Sequence, residues 1–83
     1  MPDQKTAIVT GAARGIGLAT TDLLLEMGWR VAMLDRDSAA LLPEAGKREN
    51  VLALVRDVSN PQDAGAMVAE TLGWSGRLDA LVN

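Results

Sequence analysis

The sequence predicts an α/β fold in which helices cover both faces of a parallel β-sheet. Short apolar runs rich in β-branched residues alternate along the chain with segments whose apolar residues recur at helical spacing. The first apolar run leads directly into a glycine-rich segment at residues 10–17, T-G-A-A-R-G-I-G. Because parallel strands are joined by right-handed crossovers that are usually helical, this alternation indicates a doubly wound sheet.

Four strands are predicted, at residues 5–10, 30–35, 51–57 and 78–83. They lack a clean alternation of apolar and polar residues, which is typical of strands covered on both faces. The expected strand order is 3-2-1-4, as in Rossmann-type sheets, so the chain reverses direction between strands 1 and 4. A nucleotide would bind in the crevice at the carboxyl ends of these strands.

The first two predicted helices differ in how clearly they end. Apolar residues recur every three or four positions over residues 16–27, and Gly28 suits the C-terminal cap of this helix. The second helix is predicted to begin with Ser38 as its cap, and Pro43 and Gly46 are expected to make it short or broken.

The third predicted helix has the clearest start signal. Ser59 is the expected N-cap, Pro61 lies in the first turn, and Gln62 follows the serine by three residues, a capping-box pattern. One apolar stripe then runs over residues 64–72, and Gly73 is expected to end the helix.

Thr10 and the glycines Gly11, Gly15 and Gly17 form a predicted phosphate-binding loop. Glycine lets the backbone turn sharply and keeps Cβ atoms away from a bound anion, while the N-terminus of the following helix offers free N–H groups. The spacing G-x-x-x-G-x-G is not that of a P-loop, because no Gly-Lys-Ser/Thr follows. The alternative interpretation is a tight strand-to-helix turn that holds no ligand.

Acidic residues follow the second and third predicted strands. Asp35 lies 18 residues beyond Gly17, close to the spacing of about 20 residues at which a carboxylate binds the adenosine ribose of a dinucleotide. Asp57 and Val58 end the third strand, where a carboxylate and an aliphatic side chain could contact an adenine. Either aspartate could instead be a solvated turn residue.

Composition excludes several classes of function. The net charge of −3 and the scattering of eight Lys and Arg residues argue against nucleic-acid binding, and no run of about 18 apolar residues predicts a membrane span. The chain has no cysteine or histidine, and we expect no metal site and a cytoplasmic location. Tyrosine is also absent, so the two commonest aromatic proton-transfer groups cannot come from this chain.

Taken together, these features resemble the short-chain dehydrogenase/reductase family. The resemblance rests on T-G-x-x-x-G-x-G at residues 10–17, on Asp35, on the pair Asp57-Val58, and on Leu-Val-Asn at residues 81–83, which looks like the beginning of the family's N-N-A-G motif. It implies an NAD(P)-dependent oxidoreductase that transfers a hydride between a nicotinamide and a small carbonyl or alcohol substrate.

The resemblance also assigns roles to residues. The backbone N–H of Ile16 would bind the pyrophosphate, Asp35 the ribose, Asp57 and Val58 the adenine, and Asn83 would stabilise the strand beside the cofactor. The family's catalytic serine and Tyr-x-x-x-Lys are absent, so we expect no catalytic residue here. We predict that residues 1–83 are the N-terminal cofactor-binding part of a single Rossmann domain of about 250 residues that forms a homotetramer.

NAD is the expected cofactor, with NADP as the alternative. A carboxylate at Asp35 would repel the 2′-phosphate of NADP, whereas Arg14 and Arg36 could pair with that phosphate and offset the repulsion. Two other functions fit parts of the pattern: a non-catalytic dinucleotide-binding module, and a methyltransferase that uses S-adenosylmethionine and needs no diphosphate site.

Overall fold

The computed structural model describes residues 4–83 and contains four strands and three helices in strict alternation. The predicted α/β fold with a Rossmann-type sheet is confirmed, and every predicted strand and helix is present. In chain order the elements are β1 (Thr6–Thr10), α1 (Gly15–Glu26), β2 (Arg30–Asp35), α2 (Ser38–Gly46), β3 (Val51–Val55), α3 (Pro61–Ser75) and β4 (Ala80–Val82).

All neighbouring strands of the sheet are parallel, and their order is β3-β2-β1-β4, as predicted. The register pairs Val9 of β1 with Met33 of β2 on one side and with Val82 of β4 on the other. The carboxyl ends of all the strands therefore lie along one edge of the sheet, and the loops that follow them meet there.

Two apolar layers hold the helices on the sheet. One face packs side chains of β1 and β2 against α1 and α2, with Leu41 of α2 fully buried. The other face packs Ile8, Ala32 and Leu54 against Met67 of α3. The central strands β1 and β2 are almost completely buried, which explains why their sequences do not alternate between apolar and polar residues.

One expectation about α2 is wrong and another is confirmed in part. Its N-cap is Asp37, whose side chain accepts a hydrogen bond from the Ala40 N–H, so Ser38 is the first helical residue and not the cap. The helix is short, with nine residues that end at Gly46, but Pro43 lies inside it and does not break it. Proline has no N–H, so the carbonyl of Ala39, an exposed residue, lacks its usual helical donor. The burial of Leu41 holds the helix on the sheet.

The start and end of α3 also differ from the prediction. The backbone N–H and hydroxyl of Ser59 both donate to the Asp57 carboxylate, so the cap is Asn60, which accepts a hydrogen bond from the Gln62 N–H. The helix passes through Gly73 and ends before Gly76, whose φ of 79° is left-handed.

Strand β3 is two residues shorter than predicted. Its last contact with β2 is the hydrogen bond from the Arg56 N–H to the Asp35 carbonyl, at 3.3 Å. The next N–H, that of Asp57, donates to the carboxylate of Asp63 on α3 instead of to β2. The chain therefore leaves the sheet at this point and turns towards α3.

Candidate functional site

A cleft of about 330 Å³ lies at the carboxyl ends of β1, β2 and β3. Its lining comes from the last residues of β1 and β2 and from the loops that follow β1, β2 and β3, and β4 contributes no residue to it. The lining residues are Thr10, Gly11, Leu34, Asp35, Arg36, Arg56, Asp57, Val58 and Ser59. Six of the residues singled out from the sequence are therefore brought together here: Thr10, Gly11, Asp35, Arg36, Asp57 and Val58.

The glycine loop needs its glycines for two different reasons. Gly11 and Gly15 have left-handed backbones, with φ of 62° and 59°, which side chains rarely adopt. At Gly17 the limit is space, because a Cβ atom would lie 2.1 Å from the carbonyl oxygen of Gly11. The helix can therefore begin directly against the end of β1 only with glycine at this position.

The N-terminus of α1 is left open. Its first hydrogen bond runs from the Leu18 N–H to the Arg14 carbonyl, at 3.2 Å, so the N–H groups of Gly15, Ile16 and Gly17 have no intrahelical acceptor. Arg14 makes no side-chain cap, and no acidic residue lies in the first turn, whereas α2 and α3 are both capped by a side chain. Within the described residues, this helix end therefore has neither a side-chain cap nor an acidic residue in its first turn to offset its positive charge.

Asp35 joins the glycine loop to the end of β2. Its Oδ2 accepts a hydrogen bond from the Ala13 N–H at 3.2 Å, and its Oδ1 accepts one from the Asp37 N–H at 3.0 Å. A second link, from the Ala12 N–H to the Leu34 carbonyl at 3.0 Å, fixes the same loop to the same strand. The carboxylate therefore lies at a defined position in the cleft, beside the open helix end.

The two arginines at this end of the cleft are in different situations. Arg14 reaches across the glycine loop to Asp37, with 2.5 Å between Nη2 and Oδ2. The guanidinium of Arg14, with the Ala40 N–H, holds the pKa of the Asp37 carboxyl below its usual value. Arg36 is exposed and lines the cleft. Its positive charge helps to lower the pKa of Asp57.

Asp57 and Val58 form the opposite wall of the cleft. The Ser59 hydroxyl and N–H donate to Oδ1 of Asp57, at 2.7 and 3.0 Å, and they hold the pKa of this carboxyl below its usual value. Val58 is 46% exposed and lines the cleft with its aliphatic side chain. This wall thus presents one carboxylate and one aliphatic side chain to the cleft.

A cluster of charged residues behind this wall was not predicted from the sequence. Arg56 lines the cleft and donates to Asp63 at 3.2 Å and to Glu70, while Asp63 also accepts the Asp57 N–H at 2.9 Å. Asp63 and Glu70 are seven residues apart, which places them on one face of α3. The sequence signal that could have revealed the cluster is an arginine directly after an apolar strand, followed by two acidic residues seven positions apart in the next helix.

Asn83 lies beside the glycine loop, on the other side of β1 from Asp35. Its Oδ1 accepts a hydrogen bond from the hydroxyl of Thr10 at 2.9 Å, and Val82 offers its carbonyl to the same hydroxyl at 3.4 Å. The ends of β1 and β4 are thereby joined. Thr10 links this contact to the cleft, since it lines the cleft as well.

Two kinds of feature are absent from residues 4–83. No described helix is long and apolar enough to cross a membrane. Nor does this part of the chain bring three or more histidine, cysteine or acidic side chains together in a group that could hold a metal ion.

Comparison with known proteins finds relatives whose names describe dehydrogenases. The sequence model described as short chain dehydrogenase matches residues 5–83. The L-fucose dehydrogenase of Bos taurus is 35% identical over 79 residues, covering 95% of this chain and 29% of that protein. The 2-(R)-hydroxypropyl-CoM dehydrogenase of Xanthobacter autotrophicus is 40% identical over 85 residues, covering 95% of this chain and 34% of that protein.

Solved structures give the same result. A 3-ketoacyl-(acyl-carrier-protein) reductase from Brucella melitensis, complexed with NADH, superposes with a TM-score of 0.88 at 33% identity, over 93% of this chain and 32% of that chain. A short chain dehydrogenase/reductase from Burkholderia phymatum, in complex with NAD, gives a TM-score of 0.89 at 28% identity, over 95% of this chain and 30% of that chain. This chain thus spans about a third of the length of these relatives, and it belongs to the short-chain dehydrogenase/reductase family.

Proposed function

We propose that this chain binds the nicotinamide dinucleotide of an oxidoreductase, with NAD preferred to NADP, and that the complete protein transfers a hydride between the nicotinamide and a small carbonyl or alcohol. The observation that carries this proposal is the open N-terminus of α1 beside the Asp35 carboxylate. Relatives that are solved in complex with NADH and with NAD support it. The nicotinamide, when bound, supplies or accepts the hydride.

The open helix end suits a pyrophosphate. The N–H groups of Gly15, Ile16 and Gly17 would donate to phosphate oxygens, and the helix dipole favours the negative charge there. Ile16 is 88% exposed, so its side chain does not pack into the core. Gly11 and Gly15 fit the same group, because their positive φ angles let the backbone turn sharply beside the helix end.

The acidic side of the cleft suits an adenosine. Each carboxylate oxygen of Asp35 accepts one backbone N–H, and a carboxylate has about four acceptor sites, so capacity remains for ribose hydroxyls. Both Ser59 bonds go to Oδ1 of Asp57, which leaves Oδ2 for the amino group of an adenine. Val58 would cover the apolar face of that base, and Asn83 would hold β4 against the loop.

The chemistry of proton transfer is proposed to come from residues beyond this chain. Proton transfer to an alkoxide needs a positioned acid, and the chain has no histidine or tyrosine. We therefore place the serine and the Tyr-x-x-x-Lys of the family on a further segment, and we take residues 1–83 as the N-terminal part of one Rossmann domain. A homotetramer in the cytoplasm remains the proposed state of the complete protein, to be tested by light scattering and by cell fractionation.

The test is fluorescence titration of the complete protein with NADH and NADPH, with Asp35→Ala and Asp35→Asn beside the wild type. At about 4 Å and an effective dielectric of about 20, a carboxylate and one phosphate charge repel by about 4 kcal/mol, which exposure and salt reduce. We expect wild type to prefer NADH and both variants to shift towards NADPH. Glu49→Ala is the control, because Glu49 is exposed in the loop before β3, at the opposite edge of the sheet.

Three outcomes would change the proposal. Tighter binding of NADPH than of NADH by the wild type would overturn the assignment of NAD. Binding of NADH without oxidation or reduction of any alcohol or carbonyl in a broad panel would favour the non-catalytic binding module. Preference for S-adenosylmethionine over NAD would favour the methyltransferase.

A further inference from the structure

The ion pair between Arg14 and Asp37 lies next to Asp35, which lines the cleft. Arg14 follows Ala13, whose N–H donates to Asp35, and Asp37 donates its own N–H to the other oxygen of the same carboxylate. Both partners are therefore tied to Asp35 through the backbone. Their side chains meet at 2.5 Å, between Nη2 of Arg14 and Oδ2 of Asp37.

A free arginine at this position would attract a ribose phosphate. Guanidinium groups bind phosphate through a planar pair of N–H donors, and an arginine near the ribose is the usual means of accepting a 2′-phosphate. In this chain the guanidinium of Arg14 already has a carboxylate partner. Asp37 in turn is held in place, because its Oδ1 caps α2 through the Ala40 N–H.

We propose that Asp37 is a specificity-determining residue, which occupies the guanidinium of Arg14 and thereby weakens the binding of a dinucleotide that carries a ribose 2′-phosphate. This inference rests on the proposed function. It adds to the direct repulsion by Asp35, since Asp37 removes an attraction that would otherwise favour the phosphate. Arg36 also lines the cleft and could attract the 2′-phosphate, so the discrimination against NADPH is partial.

The expected effect is modest because the pair is exposed. The side chains of Arg14 and Asp37 are 66% and 46% exposed, and ion pairs in such positions are weak and screened by salt. Releasing Arg14 should strengthen the binding of NADPH by about threefold at low salt, the scale of one exposed ion pair. The binding of NADH should change by less than about twofold, because NADH lacks the phosphate.

The experiment is a double-mutant cycle in the complete protein. Asp37→Asn removes the charge but keeps a side chain that caps a helix as well as aspartate does. It is compared with the parent in two backgrounds, Arg14 and Arg14→Gln, by fluorescence titration with NADH and NADPH at low and high salt. Asp22→Asn is the matched control, because Asp22 also pairs with an arginine, is 52% exposed, and lies in the second half of α1, away from the glycine loop.

We expect Asp37→Asn to strengthen NADPH binding in the Arg14 background and to do so clearly less in the Arg14→Gln background. An equal gain in both backgrounds would overturn the inference, because it would assign the effect to the charge of Asp37 alone. No gain in either background would overturn it as well. If the wild type binds neither dinucleotide, the proposed function fails first, and the inference fails with it.

Discussion

Gly17 offers the sharpest test of how the glycine loop is built. A Cβ atom at this position would lie 2.1 Å from the carbonyl oxygen and 2.7 Å from the carbonyl carbon of Gly11, and 3.1 Å from the carbonyl oxygen of Thr10. All these atoms are backbone, so no side chain can rotate away. In Gly17→Ala, the start of α1 must therefore move away from the end of β1.

The size of the effect follows from that geometry. Overpacking by a methyl group costs about 1–3 kcal/mol, and we expect the upper end, about 3 kcal/mol of unfolding free energy, because the obstacle is rigid. The same movement displaces the N–H groups of Gly15 and Ile16, which are proposed to bind the pyrophosphate. NADH binding should weaken by tenfold or more, which corresponds to about 1.4 kcal/mol.

The assay combines urea unfolding and NADH titration of the complete protein, with Gly73→Ala as the control. Gly73 lies within α3, where a Cβ atom meets nothing within 4 Å, so alanine should stabilise the helix by about 0.5–1 kcal/mol. The two glycines thus predict changes of opposite sign. If Gly17→Ala were as stable as wild type and bound NADH with an unchanged dissociation constant, the reasoning from close backbone contact would be refuted.

Two further predictions concern the remaining edges of the fold. The guanidinium of Arg77 and the Thr6 N–H both lower the pKa of Asp79. The Asp79 carboxylate therefore stabilises the fold at pH values above its unfolded pKa. This contribution is lost as the pH falls through the folded pKa. Asp79→Asn should be less stable than wild type at pH 7, with a gap in melting temperature that closes below about pH 4; a gap independent of pH would contradict this. The isolated 83-residue chain should self-associate through β4, where Leu81 is 52% exposed, and should not oxidise alcohols with NAD; a monomer at all concentrations in sedimentation velocity would contradict the first part.

The elements that were predictable from the sequence are those set by local composition. Apolar runs without alternation predicted the buried strands, and the Rossmann-type arrangement then gave the strand order. The glycine loop was predictable because its backbone requires glycine. Gly11 and Gly15 have positive φ angles, and a Cβ atom at Gly17 would clash with the backbone of Gly11. The family resemblance added expectations for residue roles, which remain proposals.

The helix ends were less predictable, because neighbouring polar residues compete for the same backbone groups. Ser59 and Asn60 are both good N-caps, and the choice depends on Asp57 binding the N–H and hydroxyl of Ser59. Long-range ion pairs have the same limitation. Arg14 and Asp37 are 23 residues apart, and only the folded chain brings them together.

Asp35 illustrates how scaffold and site depend on the same group. Its two oxygens hold the Ala13 N–H in the glycine loop and the Asp37 N–H at the start of α2. Asp35→Ala removes both acceptors together with the charge, so it loosens the loop that carries Arg14 as well as the turn that carries Asp37. Asp35→Asn keeps one oxygen that can accept such a bond while removing the charge. A shift in cofactor preference that both substitutions share therefore reports the charge of Asp35, and a shift confined to alanine reports the loss of its position.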